Sequence, residues 1–503
     1  MTQLHSSYFF PSRSARAFTL IFIFGLAVLI RLYDLTDLPL DFHPTRQLLS
    51  AIKARGIYFE TQPDGIPTWK LEMGIEQAKL KADVEPVIFE HLVALTYRFT
   101  GEQLWVARVY SSLFWVIGGG FLFLLLRELV SEGGALLAVA YYLFFPYAVI
   151  ASRSFQPDPL MVAIIIIFWW VLNHWTRTSS WKWALLAGLV GGSAIFIKFV
   201  AAFFVIGGTL GAALGRSSLR DLVRNPQAWT MALLGILPGA AYIVYGVYVA
   251  GFLGKQFGGR FIPSLLLSPM TYLNWESKAA LAAGGVVIAF GLLGLFFVRE
   301  GSVRSFLFGL WGAYILYGLY FDYHVATHDY YHLPLIPIVA ISLAPLADAF
   351  AVQLRDLTAQ RRMRFTAIII LLFGLFSILW DVRNQMKSVD YRPEAAMWAK
   401  IGDQLGHERN TVALTQDYGS RLQYWGWQIV DSWPTSGDLY YVDARGGQPS
   451  LDKLFNELAG KKKFFLVTDF DELEFQPQLK ERLSTYPIFA EGEGYIIYSL
   501  RKS

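Results

Sequence analysis

Apolar runs of roughly 15–23 residues recur from the N-terminus to about residue 381, each long enough to be read as a membrane-crossing helix. They lie near 17–33, 104–126, 133–150, 159–173, 182–197, 199–213, 228–250, 279–298, 305–321, 331–350 and 365–381. The pattern predicts an α-helical polytopic membrane protein with about eleven transmembrane helices. The pair at 182–213 is short, and Lys198 stands between its members. Two stretches between the first and second runs have a different period. TRQLLSAIKARGIYF (45–59) reads as an amphipathic helix, with Leu48, Leu49, Ile52 and Phe59 on one side and Arg46, Gln47, Ser50 and Lys53 on the other. EPVIFEHLVALTYRF (85–99) reads as a second surface-lying or partly inserted helix. From about 385 the long runs stop. Short strand patterns (TVALTQ, KFFLVTDF, GYIIYSL) alternate there with helical ones (PEAAMWAKIGDQL, SLDKLFNELAG), which predicts a small soluble α/β domain. The expected division is therefore 1–384, a membrane domain that includes an outer loop at 34–103, and 385–503, a soluble domain outside the membrane.

The positions of the positive charges orient this plan. Arg13 and Arg16 precede the first run. Alternate short loops then carry Arg127; Arg177 and Lys182; Arg216, Arg220 and Arg224; Arg299 and Arg304; Arg355, Arg361, Arg362 and Arg364. The intervening loops carry only Arg153, Lys198, Lys255, Arg260 and Lys278. Because the cytoplasmic side collects Lys and Arg, the N-terminus is expected in the cytoplasm. The loop after the first span, the loop near 322–330 and the C-terminal domain are then expected outside a cytoplasmic (inner) membrane.

Composition agrees with that picture. Hydrophobic residues make up 54% of the 503, charged residues only 16%, and mean hydropathy is +0.40, whereas soluble domains are about a quarter charged. Sixteen Trp and 26 Tyr suit a chain with many membrane–water boundaries. The net charge of +4 does not point to nucleic acid, and no nucleic-acid partner is expected. With no cysteine, disulfides, thiolate catalysis and cysteine-ligated metals are excluded. No short hydrophobic segment with a small-residue cleavage site precedes the first run, which is read as an uncleaved span. There is no internal repeat and no glycine motif in a strand–loop–helix setting that would cradle a nucleotide.

Four polar clusters sit where runs meet the outer face. In LPLDFHPTRQ (38–47), Pro44 opens the amphipathic helix, Arg46 stands in its first turn and Asp41 lies just outside. A helix start with an arginine suits phosphate. Alternatively, Asp41 and His43 cap the helix and Arg46 reaches for lipid headgroups. SRSFQPDPLM (152–161) offers Arg153 and Asp158, or simply a turn with a solvated aspartate. Lys198, in AIFIKFVAAFF, must be paired or face an aqueous cavity or an anion in so apolar a setting. DYHVATHDYYHLPLIP (322–337) holds His324, His328 and His332; a helix would place the last two on one face, as in metal sites. Hydrogen bonding to phosphate or sugar, or interface aromatics with polar tips, are the competing readings. Glu85 and Glu90 supply further carboxylates. The acidic run VTDFDELE (467–474) reads as a solvated face.

The ordered set RLYDLTDLPLDFHPTR, EPVI, VARVYSSL, SRSFQPDPL, AIFIK and YYHLPLIP, with the topology above, resembles the GT-C-fold glycosyltransferases. The nearest group is the bacterial family 39 type, which includes protein mannosyltransferases and the lipid A aminoarabinose transferase. The resemblance covers roughly residues 15–350. Such enzymes usually carry an Asp-Glu pair shortly before the helix arginine; here that place holds His43-Pro44, and the nearest acid is Asp41. The resemblance implies transfer of a sugar from a polyprenyl-phosphate donor to an acceptor hydroxyl outside the membrane, with inversion. The acceptor would be a glycan, a lipid or a protein, and the surroundings membrane lipids. Asp41 would be the base, with Asp158 assisting and Glu85 as a third carboxylate. Arg46, Lys198, His328 and Tyr331 would hold the donor phosphate, and His43, Arg153 and His332 are further candidates. No cofactor is assigned and no metal ligand set is named, which leaves a divalent cation open. A transporter or flippase of lipid-linked sugars would more often show paired repeats and mid-membrane charges. A non-catalytic envelope scaffold would be indifferent to loss of Asp41.

Overall fold

The computed structural model describes residues 13–254, 260–357, 361–447 and 450–501; Lys255 lies outside the described residues. In chain order the helices are α1 (Arg13–Arg31), α2 (Pro44–Phe59), α3 (Thr68–Leu80), α4 (Ile88–Thr100), α5 (Trp105–Leu126), α6 (Glu132–Phe144), α7 (Pro146–Ala151), α8 (Asp158–Thr178), α9 (Trp181–Ile197), α10 (Ala201–Leu214), α11 (Leu219–Arg224), α12 (Pro226–Val244), α13 (Pro269–Ala283), α14 (Gly285–Phe297), α15 (Gly301–Tyr320), α16 (Asp322–Thr327), α17 (Leu335–Leu357), α18 (Arg361–Met386) and α19 (Glu394–Leu405), followed by shorter ones in the C-terminal region. The chain divides into two units. One comprises the segment up to Leu35, Asp83–Pro86 and Ala107–Ser388; the other comprises Thr36–Ala82, Val87–Val106 and Val389–Ser503.

The first unit is helical. Each apolar run of the sequence coincides with a helix or a broken pair of helices. Among the described residues six helices are long and apolar enough to cross a membrane, and the α13–α14 pair, bent by 89°, would make a seventh. The other apolar helices, α6, α9 and α10, have 13 to 17 residues. Local chemistry explains the breaks. Pro146 starts α7 directly after Phe145, whose extended ψ of 129° ends α6, as expected before a proline. Lys198, at φ −153° and ψ 117°, separates α9 from α10. Pro238 lies inside α12, which continues into a single π-helical turn at Tyr245–Val249.

Close packing in this unit depends on small residues. Gly207, Gly211 and Gly215 follow one another at every fourth position. A Cβ on Gly207 would lie 2.5 Å from that of Ala313, one on Gly211 2.7 Å from the Ser305 carbonyl oxygen, and one on Gly215 2.8 Å from the Ser302 Cα. The absence of side chains there lets α10 lie directly against α15, the usual way membrane helices approach without a hydrophobic driving force.

The second unit is α/β. Its five strands, β1 (Thr411–Leu414), β2 (Val430–Ser432), β3 (Phe464–Val467), β4 (Ile488–Gly492) and β5 (Tyr495–Ser499), are ordered β2-β1-β3-β5-β4. β1 pairs in parallel with β2 and β3, and β5 pairs antiparallel with β3 and β4. Alternation along the strands splits the core. Val412, Leu414, Phe465 and Val467 pack with Trp433 and Phe455, while Ala413, Leu466 and Ile497 pack with Trp398, Ile401 and Leu405. The expected strands and the two expected helices are present; β2 and β4 are additions too short or too exposed to read from periodicity. The acidic run 467–474 is used internally: Asp469 accepts from the Glu472 amide and Glu472 from the Ser436 amide.

α2 to α4 belong to this unit. α2 is covered on both of the sides that its amphipathic pattern distinguishes. Gln47, Ser50 and Lys53 are buried together with Leu48 and Ile52. Each polar group is satisfied internally, as burial requires. Gln47 donates to the Phe42 carbonyl at 2.6 Å, Ser50 to Glu90 at 2.6 Å, and Lys53 to the Lys81 carbonyl. The intervening α3, which the apolar pattern did not predict, packs on α2 through Gly56 and Ala78, where an added Cβ on Gly56 would come within 2.2 Å.

Candidate active site

The most developed constellation lies in the helical unit, on the segment Ser152–Asp158. That segment is tied to its surroundings by two buried arginines, Arg31 from α1 and its own Arg153. Arg31, at the end of α1, donates to the Ser152 hydroxyl at 2.8 Å and the Leu143 carbonyl at 2.9 Å. Arg153 donates to the carbonyls of Tyr33 and Asp34 at 2.7 and 3.1 Å. Ser111 adds a hydrogen bond to the Ser154 carbonyl. Arg153 therefore fixes the loop. So braced, the chain enters α8 at Asp158, which is 2% exposed. The expected alternative of a turn with a solvated aspartate does not hold.

Lys198 meets Asp158 because the break between α9 and α10 projects it there. Its Nζ lies 2.8 Å from both carboxylate oxygens and 3.8 Å from Glu85 Oε1. It also stands 5.3 and 5.6 Å from the ring centres of Tyr330 and Tyr331, within cation–π range. Both the lysine and the aspartate are nearly fully buried. Neither would be tolerated alone, since an isolated buried charge costs far more than a paired one.

This cluster borders a cavity of about 630 Å³ that is open to solvent. It is lined by polar side chains, Glu85, Lys198, Arg260 and Tyr331, and by apolar ones, Ile195, Phe196, Val200 and Ile243. α12 contributes Gly239, Tyr242 and Ile243, just after its internal Pro238. His324 lies near these cations: burial first, then the positive charges of Arg260, His328 and Lys198, push its pKa down to about 3. The imidazole is therefore neutral near pH 7 and registers a local excess of positive charge.

The three histidines do not form one helical face. α16 ends at Thr327, His328 is extended (φ −120°, ψ 110°), and a single 3₁₀ turn covers Asp329–His332. His328 accepts or donates at the Thr327 hydroxyl, 2.7 Å away. His332, fully buried, uses Nδ1 on the Tyr314 hydroxyl at 2.7 Å and Nε2 on the Val325 carbonyl at 2.9 Å. With both nitrogens occupied, His332 braces the turn that carries Tyr331. Tyr331 is further held by Tyr317, whose hydroxyl donates to its carbonyl at 3.2 Å. Among the described residues no three His, Asp or Glu side chains converge as a metal group.

Asp41, His43 and Arg46 lie in the other unit. His43 precedes α2 in the left-handed region (φ 44°, ψ 64°) and makes no side-chain cap. Non-glycine residues seldom adopt this conformation, and it costs about 1–2 kcal/mol. Gln47 Nε2 approaches Asp41 Oδ1 at 3.4 Å, and Arg46 occupies the first turn. The surroundings are charged. Arg421 bridges Asp417 and Glu394, and Thr45 reaches Asp417 at 3.4 Å. Burial, followed by Asp41, raises the Tyr391 phenol, with Arg421 opposing. Burial also raises the Asp417 carboxyl, against the pull of Arg421. Sequence reading missed this neighbourhood, and it missed Arg260, whose only signal was a basic residue in an outer loop.

A model of the family described as dolichyl-phosphate-mannose-protein mannosyltransferase matches residues 84–245. That segment contains Glu85, Arg153, Asp158 and Lys198. The fold matches the crystal structure of ArnT from Cupriavidus metallidurans in the apo state with a TM-score of 0.56 and 14% identity, over 96% of this chain and 98% of that one. The structure of ArnT from the same organism bound to undecaprenyl phosphate matches with a TM-score of 0.53 and 13% identity, over 97% and 99% of the two chains. No curated protein matches the chain by sequence. The chain is thus a multi-pass membrane protein with the GT-C fold, resembling the membrane glycosyltransferases of the family 39 type.

Proposed function

We propose that the chain is a glycosyltransferase of the cytoplasmic membrane that moves a sugar from a polyprenyl-phosphate donor to an acceptor hydroxyl on the outer face, with inversion. The observation that carries this reading is the mixed lining of the cavity, which joins Lys198, Arg260, Tyr331 and the carboxylate of Glu85 to apolar side chains of α9 and α12. A lipid phosphate is the ligand whose charged and apolar halves both fit that lining. ArnT, whose fold the chain shares, is known bound to undecaprenyl phosphate. Arg260 and Tyr331 are assigned to the phosphate oxygens. Lys198 would join them by sharing its ammonium between Asp158 and the phosphate.

In the proposed reaction the acceptor oxygen attacks the anomeric carbon as the bond to the phosphate oxygen breaks. The bonding pair leaves with the polyprenyl phosphate, and the hydroxyl proton passes to a carboxylate. The leaving group becomes a more highly charged anion. It needs positive charge that is already in place, which is where preorganised cations act. A single displacement inverts the centre. The base is assigned to Asp41 from the resemblance, with Glu85, on the cavity wall, as the second candidate. In this reading the arginine-rich loops face the cytoplasm, and residues 385–503 form an extracytoplasmic domain.

The test is transfer by the purified chain in nanodiscs, offered radiolabelled polyprenyl-phosphate sugars with water or cell-envelope extract as acceptor source. Asp41→Asn is expected to abolish turnover and retain donor binding. Retained turnover in Asp41→Asn, with loss in Glu85→Gln, moves the base to Glu85. Absence of donor binding by the wild type would overturn the proposal.

A further inference from the structure

The helical unit has a second cavity, which the transferase reading does not use. It is an open crevice of about 330 Å³, solvent included, lined by the C-terminal ends of α5, α8 and α10 and the start of α15. The glycine stripe creates it: Gly211 and Gly215 bring α10 against Ser305 and Ser302, and the next residue, Arg216, is delivered to the rim. Leu125, Trp169 and Phe306 form a buried apolar floor. Asn173, Arg216 and Ser302 stand around the opening.

The electrostatics of the rim are unbalanced. In sequence the flanking segments carry Arg127, Arg177, Lys182, Arg220, Arg224, Arg299 and Arg304 against Glu128, Glu132, Asp221 and Glu300. Glu128 is already engaged by Asn173 at 2.7 Å, and by His174 and Arg177 at 3.5 and 3.4 Å. The acid nearest Arg216 is Glu300, 3.8 Å away and itself 59% exposed. Burial, and then the charge of Arg177, disfavour the Arg216 cation. An anion at the rim would relieve that repulsion. A neutral lipid would leave the arginine unmatched, and a free inorganic anion would leave the partly exposed Leu129 at the mouth facing water.

We propose that this cavity binds an anionic phospholipid of the surrounding leaflet, its phosphate on Arg216 and the first carbons of an acyl chain at the mouth, beside the partly exposed Leu129. Basic pockets between membrane helices recognise acidic headgroups in this way. The site lies at the ends of the candidate spans α5 and α8. It shares no lining residue with the donor cavity, which the C-terminal parts of α9 and α12 line.

The experiment is native mass spectrometry of the delipidated full chain, titrated with phosphatidylglycerol, phosphatidylcholine, a polyprenyl phosphate or inorganic phosphate. Phosphatidylglycerol is expected to survive collisional activation that strips phosphatidylcholine. Arg216→Gln should weaken its retention about tenfold, the value of one charge-assisted hydrogen bond, and Arg216→Lys should keep most of it. Leu129→Trp, which fills the cavity and leaves the arginine intact, should also release the lipid. Equal retention of the two phospholipids by the wild type overturns the proposal, and that comparison needs no variant to fold. So does retention of phosphatidylglycerol that Arg216→Gln does not change. Displacement by millimolar inorganic phosphate would make this a free-anion site, and displacement by the polyprenyl phosphate would make it a second carrier site; either result overturns it.

Discussion

At one end of the helical unit Lys198 is gripped by both oxygens of Asp158 at 2.8 Å, deep in apolar surroundings. At the other end Arg216 faces Glu300 at 3.8 Å, with side chains 29% and 59% exposed. Both cations border a cavity that apolar side chains also line. They differ in what holds them. Lys198 is part of the folded core, and its charge exists there because Asp158, with Glu85 3.8 Å away, balances it. Arg216 is only partly buried and the carboxylate of Glu300 stands 3.8 Å off, so its charge remains available to a ligand. Burial thus turns one ion pair into a structural element that function can borrow, and exposure leaves the other a recognition element with almost no structural duty.

The sharpest way to break this contrast is to remove one partner of the buried pair. Lys198→Ala should destabilise the protein by about 3–5 kcal/mol, because Asp158 is left buried and uncompensated. Thermal unfolding in detergent measures it. The double variant Lys198→Met, Asp158→Leu should recover most of that loss and remain without transfer activity. If Lys198→Ala unfolds like the wild type, water already reaches the pair, and the distinction between the two ends falls.

The next effect in size is a pH dependence confined to the donor-cavity end. Histidine normally titrates near 6.5, and His324 is held down to about 3. Between these values the unfolded chain binds a proton that the folded chain refuses. The contribution of His324 is therefore complete above 6.5 and is lost as pH falls toward 3. Stability should drop by about 2 kcal/mol from pH 7 to pH 5 on this account. His324→Gln should flatten that slope, read by unfolding midpoints across the range. A slope unaffected by the substitution would mean that the imidazole is not in a positive, dry environment.

Arg260→Gln comes third. It takes a cation from the lining of the donor cavity. Affinity for the polyprenyl phosphate should fall by about 1.5–3 kcal/mol, the range for hydrogen bonds to charged groups, which corresponds to roughly ten- to a hundredfold. Binding measured with the unsaccharified carrier separates this from any effect on the chemical step.

The two ends were not equally legible in the sequence. Lys198 announced itself because a lysine inside AIFIKFVAAFF has no cheap solution other than a partner or a cavity. Asp158 could not be matched to it, since 40 residues and a helix reversal separate them, and hydropathy carries no information on which helix ends meet. Arg260 and Arg216 looked alike, two of many loop cations. The sequence held the cause of the Arg216 site, glycines spaced by four before the arginine, but not the surface that α15 would present to them. α2 misled for a related reason. Its period is amphipathic, yet α3 and α4 cover the polar side too, and Ser50 and Lys53 find Glu90 and the Lys81 carbonyl. Strands β1, β3 and β5 were readable from their apolar patterns, and β2 and β4 were not. The Asp417–Arg421–Glu394 bridge was not, because it depends on two consecutive left-handed residues, Asp417 and Tyr418, that no pattern of types requires.

The smallest effect completes the comparison. Arg216→Gln removes an exposed pair, and such pairs contribute about 0–1 kcal/mol. Its unfolding midpoint in neutral lipid should therefore lie close to that of the wild type, where Lys198→Ala shows its full loss. Added phosphatidylglycerol should then separate the two proteins: a lipid that binds only the folded state raises the midpoint of the wild type and leaves Arg216→Gln where it was. High salt should erase the difference, since the headgroup contact is made at a screened surface, and should leave the Lys198–Asp158 pair untouched. A cation whose removal is silent until an acidic lipid is supplied has been kept for the lipid rather than for the fold.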